Sequence, residues 1–188
     1  MVSQPTSLRI TAHATPHHSD PSDAHEFYVV LGKFTVAWSR FEGHFSGALL
    51  QILAMPEAAL LAQALPLSWK RRAKLWRAAF NTIPSLQPMQ RNALNFIKIV
   101  MDEVQSRHIG VHAIWDEFVP DAQEPTILAR IINPEKSNPD GIIVTDYKIS
   151  LSMVHTGLVV ANALNRDLVQ FTTFLDSLRP PPAGIRKL

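Results

Sequence analysis

The chain has 188 residues, 46% of them hydrophobic and 18% charged, which suits one globular domain able to bury a core without staples. It contains no cysteine, so a disulfide framework, a thiolate metal site and a cysteine nucleophile are excluded. The formal net charge of +2 does not by itself mark a polyanion binder, no apolar run approaches the roughly 20 residues of a spanning helix, and the N-terminus lacks a signal-peptide pattern. The expectation is a soluble cytoplasmic protein with no membrane partner.

Residues 1–24 mix Ser, Thr and Pro with His13, His17 and His18 and have little to bury, so they are expected to form a flexible arm. Residues 25–179 are expected to form the folded domain and 180–188 a tail. From about Ala24 to Ala54 the residues Phe27, Leu31, Phe34, Trp38, Phe41, Phe45, Leu49 and Ile52 recur at spacings of four and three, which predicts a long amphipathic helix with an aromatic core stripe. Glu42 lies one turn after Trp38 at the edge of that stripe. A carboxylate there needs a partner, either a structural ion pair or an Arg or His that it orients.

Pro56 can open a short helix through Gln63, and Ser68 is a fitting N-cap for a helix to about Ile83. On that helix Lys70, Lys74 and Arg77 share one face. From Pro66 to Gly110, eight basic side chains stand against two acidic ones, a balance that favours polyanions, although basic solvated faces are common. Asn81 to Pro88, with two prolines, predicts a loop.

The stripe Leu94, Ile97, Met101, Val104, His108, Val111, Trp115 and Phe118 predicts a further helix to about Phe118, bent at Gly110. The β-branched segments Thr126 to Ile132 and Ile142 to Ile149 flank a run of turn formers and predict a β-hairpin. A final helix from about Ser150 to Leu178 ends before Pro180-Pro181-Pro182. The expected architecture is a mainly α-helical, antiparallel four-helix-type bundle with a short β-hairpin insertion before the C-terminal helix.

The one pointed chemical feature is Arg107-His108-Ile109-Gly110-Val111-His112. At helical pitch His112 lies about 40° round from His108, whereas Arg107 and His112 are about 140° apart and flank the same seam. If a second copy packs there, the two sets of side chains converge. Such a group suits phosphodiester cleavage without metal. A neutral imidazole takes the ribose 2′-OH proton, an imidazolium protonates the departing 5′ oxygen, and a guanidinium holds the phosphate oxygens.

An Arg followed by a polar residue and, after four intervening residues in all, a His, late in a helical bundle, resembles the signature of the HEPN superfamily. The first helix, with Glu42 beside an apolar stripe, is similar to first helices of that family. The resemblance covers roughly Phe27 to Leu178. It implies a metal-independent endoribonuclease without cofactor, a homodimer with a composite cleft, RNA as substrate, and a toxin or defence setting with a cognate antitoxin or regulatory partner. The implied roles are acid/base catalysis for His112, phosphate contact for Arg107, an orienting or secondary acid/base role for His108, support from Glu42, and RNA attraction by Lys70, Lys74 and Arg77.

Other readings remain beside it. His108 and His112 can be ordinary imidazoles at a packed seam, with Arg107 paired to Asp102, Glu103 or Glu42, in a non-catalytic interaction or nucleotide-binding module. A metal site on His108, His112 and Asp116 would need all three on one helix face. The zinc-hydrolase pattern is excluded because Ile109 stands where its Glu belongs.

Overall fold

A computed structural model describes residues 21–119, 124–134 and 142–178. It is mainly helical, with a small antiparallel sheet beside the C-terminal helix. The segments 1–20 and 180–188, which hold most of the expected arm and the tail, lie outside the described residues, while 21–24 belong to the first helix rather than to an arm.

Helix α1 runs Pro21–Leu53, with Pro21 at its first position, where a missing N–H costs nothing. Its apolar stripe is buried at Phe27, Phe34, Trp38, Phe41, Phe45, Leu49 and Ile52, and Leu31 is partly buried. The short helix expected from Pro56 is a 3-10 turn, Pro56–Leu60, and the chain from Ala54 to Ser68 then brings it back to the middle of α1. Helix α2, Trp69–Thr82, starts at the Ser68 cap, whose side chain accepts from Arg71 N. The predicted loop after it contains a second 3-10 turn, Pro84–Met89.

Helix α3, Gln90–His112, ends six residues before the predicted Phe118. Ala113 is extended, and Ile114–Val119 forms strand β1. Strands β2, Thr126–Pro134, and β3, Ile142–Ser150, follow, so the sheet has three strands in the order β1-β2-β3 instead of the two of a hairpin. The cause of the misreading is local. A register shift between Trp115 and Phe118 is a β-bulge, so two residues three apart face the same side, imitating helical spacing. Both rings pack on Phe27, at centroid distances of 5.9 and 5.6 Å.

Helix α4, Leu151–Ser177, has Ser150 as its cap, accepting from Met153 N. Contacts between α1 and α4 advance in step: Phe34 lies against Gly157, Asn165 Nδ2 donates to Ala37 O, and Gln51 Nε2 donates to Asp176 Oδ1. These two helices therefore run in the same direction, where the sequence reading expected antiparallel neighbours. The sheet explains this, because it returns the chain to the end of α1 at which α3 stopped. Helices α1 and α3 run against each other, as Phe34 meets Gly110 while Phe45 meets Phe96. An aromatic cluster of Phe41, Phe45, Trp76, Phe80, Phe96 and Phe171 fills the centre, and Trp76 Nε1 donates to Ala93 O to join α2 to α3. Among the described residues no helix is long and apolar enough to cross a membrane.

The junction of sheet and α4 carries a pH-dependent contact. Glu124 Oε1 accepts from Ser152 Oγ and its Oε2 from Ser152 N, at the positive end of α4. The Ser152 hydroxyl, with Ser150 and the Ser152 N–H, holds this carboxyl below its ordinary value of 4.5. A lowered folded-state value means a contribution present above the unfolded value and lost as pH falls through the folded one. Glu124→Gln is therefore expected to flatten the loss of thermal stability between about pH 5 and pH 3, read by melting curves across that range.

Glycines on α1 offer a second check. A Cβ added at Gly43 meets nothing within 4 Å. Gly43→Ala, in a helix interior, should raise stability by about 1 kcal/mol in a denaturant titration.

Candidate functional site

Glu42 sits in the middle of α1, on the border between the buried stripe and solvent. Its Oε1 gathers three groups. Trp38 Nε1, one turn back on α1, donates at 3.0 Å, and Trp69 Nε1, at the start of α2, donates at 3.2 Å. Arg107 Nε of α3 lies 2.8 Å away, with side chains only 20% and 24% exposed for Arg107 and Glu42. The Nε–H does not point along that line, so this is a contact of charges and not a directed hydrogen bond. Three helices thus meet at one carboxylate oxygen.

On its outer side, Arg107 Nη1 lies 2.8 Å from His112 Nε2. A guanidinium can only donate, so Nε2 is the acceptor and the neutral ring carries its proton on Nδ1. His108 stacks obliquely against His112, ring centroids 5.1 Å apart. His112 is exposed, whereas His108 is partly buried. Arg107, His108 and His112 therefore come together at the end of α3, with Glu42 behind them.

The motif helix can approach α1 this closely because of Gly110. A Cβ there would lie 2.5 Å from Phe34 Cε1, and one at Gly157 of α4 would lie 3.2 Å from Phe34 Cε2. The Phe34 ring fills the gap between the two glycines. Beside it is a small cavity of about 80 Å³, lined by Leu31, Ile109, Trp115, Ile149 and Met153 among others. It opens on the face of α3 turned away from Arg107 and His112.

Lys70, Lys74 and Arg77 are all exposed along α2. The expected face exists, and Trp69, the residue before Lys70, links its helix to Glu42. Arg72 is not on that face. Its Nε donates to Pro66 O at 2.8 Å and its Nη1 to Ser46 Oγ at 3.2 Å, and its guanidinium lies 5.8 Å from the centre of the Trp69 ring.

The single helix face assumed by the metal reading does not form. Asp116 belongs to β1, past the end of α3, so no helix face carries it with His108 and His112. Among the described residues no group of three or more His, Asp or Glu is placed to hold a metal ion.

Sequence reasoning missed Trp69 and the second role of Trp38. The available signal was that a partly buried indole N–H needs an acceptor and a partly buried carboxylate needs donors. What it lacked was the fold that brings residues 27 positions apart together. Comparison with protein-family models, curated proteins and solved structures finds no match for the chain.

Proposed function

We propose that this protein is a HEPN-like, metal-independent endoribonuclease of toxin or defence type, acting in the cytoplasm as a homodimer under the control of a cognate partner. The observation that carries the reading is the 2.8 Å contact between Arg107 Nη1 and His112 Nε2, with Glu42 as counter-charge. In this reading α1 to α4 correspond to the family's four-helix bundle and the sheet is an insertion.

The chemistry follows from the donors. When a phosphate arrives, Arg107 Nη1 turns to its oxygens and leaves His112 Nε2 free with its lone pair. Nε2 removes the ribose 2′-OH proton, and the 2′ oxygen bonds to phosphorus. The bond from phosphorus to the 5′ oxygen breaks, giving a 2′,3′-cyclic phosphate. The leaving oxygen takes a proton from an imidazolium, supplied by His108 or by the second copy's equivalent of His112. Arg107 stabilises the additional negative charge of the transition state. Lys70, Lys74 and Arg77 attract the RNA backbone, a contribution that weakens as salt rises.

The test is incubation of the purified protein with structured and unstructured RNA in EDTA. Cleavage leaving 2′,3′-cyclic ends supports the reading. No cleavage of any RNA, with no toxicity on expression, overturns it. One observation favours a second reading, a non-catalytic interaction or nucleotide-binding module of antitoxin-like or inactive HEPN type. Arg107 is largely enclosed and already engaged by Glu42, which is also how a purely structural ion pair is built.

A further inference from the structure

We propose that Trp69 is a positioning residue for His112, acting through Glu42 and Arg107: its indole N–H and that of Trp38 pin one carboxylate oxygen, which holds the guanidinium that sets the imidazole tautomer. The catalytic consequence rests on the ribonuclease reading above, whereas the effect on the tautomer does not.

A glutamate side chain at the edge of a helix has several rotamers open to it, and holding it in one costs entropy. Here the two indole donors remove that freedom at Oε1, at 3.0 and 3.2 Å. Trp38 is local, four residues away on the same helix, and would be present in any conformation of α2. Trp69 is the donor that depends on tertiary structure. Its ring lies nearly parallel to Phe41, at 5° and 5.9 Å, and to Phe45, at 16° and 5.4 Å. Arg72 lies against the ring, and the Ser46 hydroxyl that accepts from Arg72 itself donates to Glu42 O at 2.7 Å. The indole is thus held by its ring contacts, and its N–H is directed at the carboxylate.

The chain of consequence has one direction. With Oε1 fixed, Arg107 has a fixed anion 2.8 Å from its Nε, which holds the guanidinium in place by charge while its Nη1 lies at His112 Nε2. In metal sites, outer partners that fix a histidine's tautomer and orientation commonly change affinity or activity by about 10- to 100-fold when removed, and an effect on the same scale is expected here. A merely structural tryptophan would alter stability and leave the tautomer as it is.

The experiment uses the full chain, labelled with ¹⁵N at histidine, with ring ¹⁵N–¹H spectra recorded at about pH 8, where imidazole is neutral. Wild type is expected to show His112 with its proton on Nδ1. Trp69→Phe, which keeps an aromatic ring but removes the N–H, is expected to shift His112 several-fold toward the Nε2–H form. Glu42→Gln, which removes the anion from the same link while leaving every aromatic side chain in the sequence, should shift it likewise and covers the case in which Trp69→Phe folds poorly. Trp76→Phe is the control, removing an indole N–H that donates to Ala93 O in the same core. An unchanged tautomer in folded Trp69→Phe, or an equal shift in Trp76→Phe, overturns the proposal, and if Trp69→Phe does not fold an unchanged tautomer in Glu42→Gln overturns it. In the cleavage assay, Trp69→Phe should lower kcat by about 10-fold with KM within about twofold. A wild type that cuts no RNA and is not toxic on expression would remove the ribonuclease reading, and the spectra would still decide the positioning role.

Discussion

His112→Ala is expected to lower metal-free RNA cleavage by about 10²- to 10⁴-fold, the usual worth of a positioned acid/base group. The melting temperature should barely move, since His112 is exposed at the end of α3 and surface changes are usually worth less than about 0.5 kcal/mol. Arg107→Ala supplies the contrast. On the proposed reading it removes the phosphate contact, and it also strips Glu42 of its counter-charge in a site that is about one-fifth exposed, so a stability loss of about 2 kcal/mol should accompany the loss of activity. Arg107→Lys keeps the charge without the planar fork and should recover stability better than cleavage. These variants are compared by the yield of cyclic-phosphate ends in EDTA and by thermal melting. Cleavage by His112→Ala at the wild-type rate would end the catalytic assignment.

Gly110→Val is expected to destabilise the protein by about 3 kcal/mol, at the upper end for overpacking a filled core. The reason is the 2.5 Å separation between an added Cβ and Phe34 Cε1, combined with the 3.2 Å approach of the same ring to Gly157 on its other side. Phe34, only 4% exposed, has no room to move away from one helix without striking the other. In a protein of this size such a loss lowers the melting temperature by roughly 6–12 °C. Because the displaced element is the last turn of α3, Gly110→Val should also disturb the Arg107 and His112 contact, so activity should fall with stability. A melting temperature within about 2 °C of wild type would mean that the ring is not clamped as described.

Much of the helical structure was readable because α1, α2 and α4 each bury one face against the same core. The spacing Phe27, Phe34, Trp38, Phe41, Phe45 marks the buried side of α1 directly. Ser68 announced the start of α2, since a hydroxyl that accepts from an early N–H is a local device, and Ser150, where the last helix was expected to begin, is the cap of α4. In α3 the reading was out of phase. Leu94 and Met101 are only partly buried, while Ala93, Phe96, Ile97 and Val100 form the core face. The error at Trp115 and Phe118 has the same source: three-residue spacing does not distinguish a helix from a bulged strand, and only the pairing with β2 decides between them.

The same division holds for Arg107-His108-Ile109-Gly110-Val111-His112. The sequence by itself determined that an Arg and two His share the last turns of one helix, because helical pitch fixes which residues neighbour each other along a segment. It also determined that Glu42, set at the edge of an apolar stripe, would need a partner, because burial makes an unpaired charge costly. Tertiary structure alone decided which partner that is. Trp38 was within local reach, but Trp69 and Arg107 arrive from α2 and α3, whose placement depends on packing around Phe41 and Phe45 and on the passage of Phe34 between Gly110 and Gly157. Side chains far apart in the chain meet only where a shared core holds their helices in place, and that arrangement has no periodic trace in the sequence.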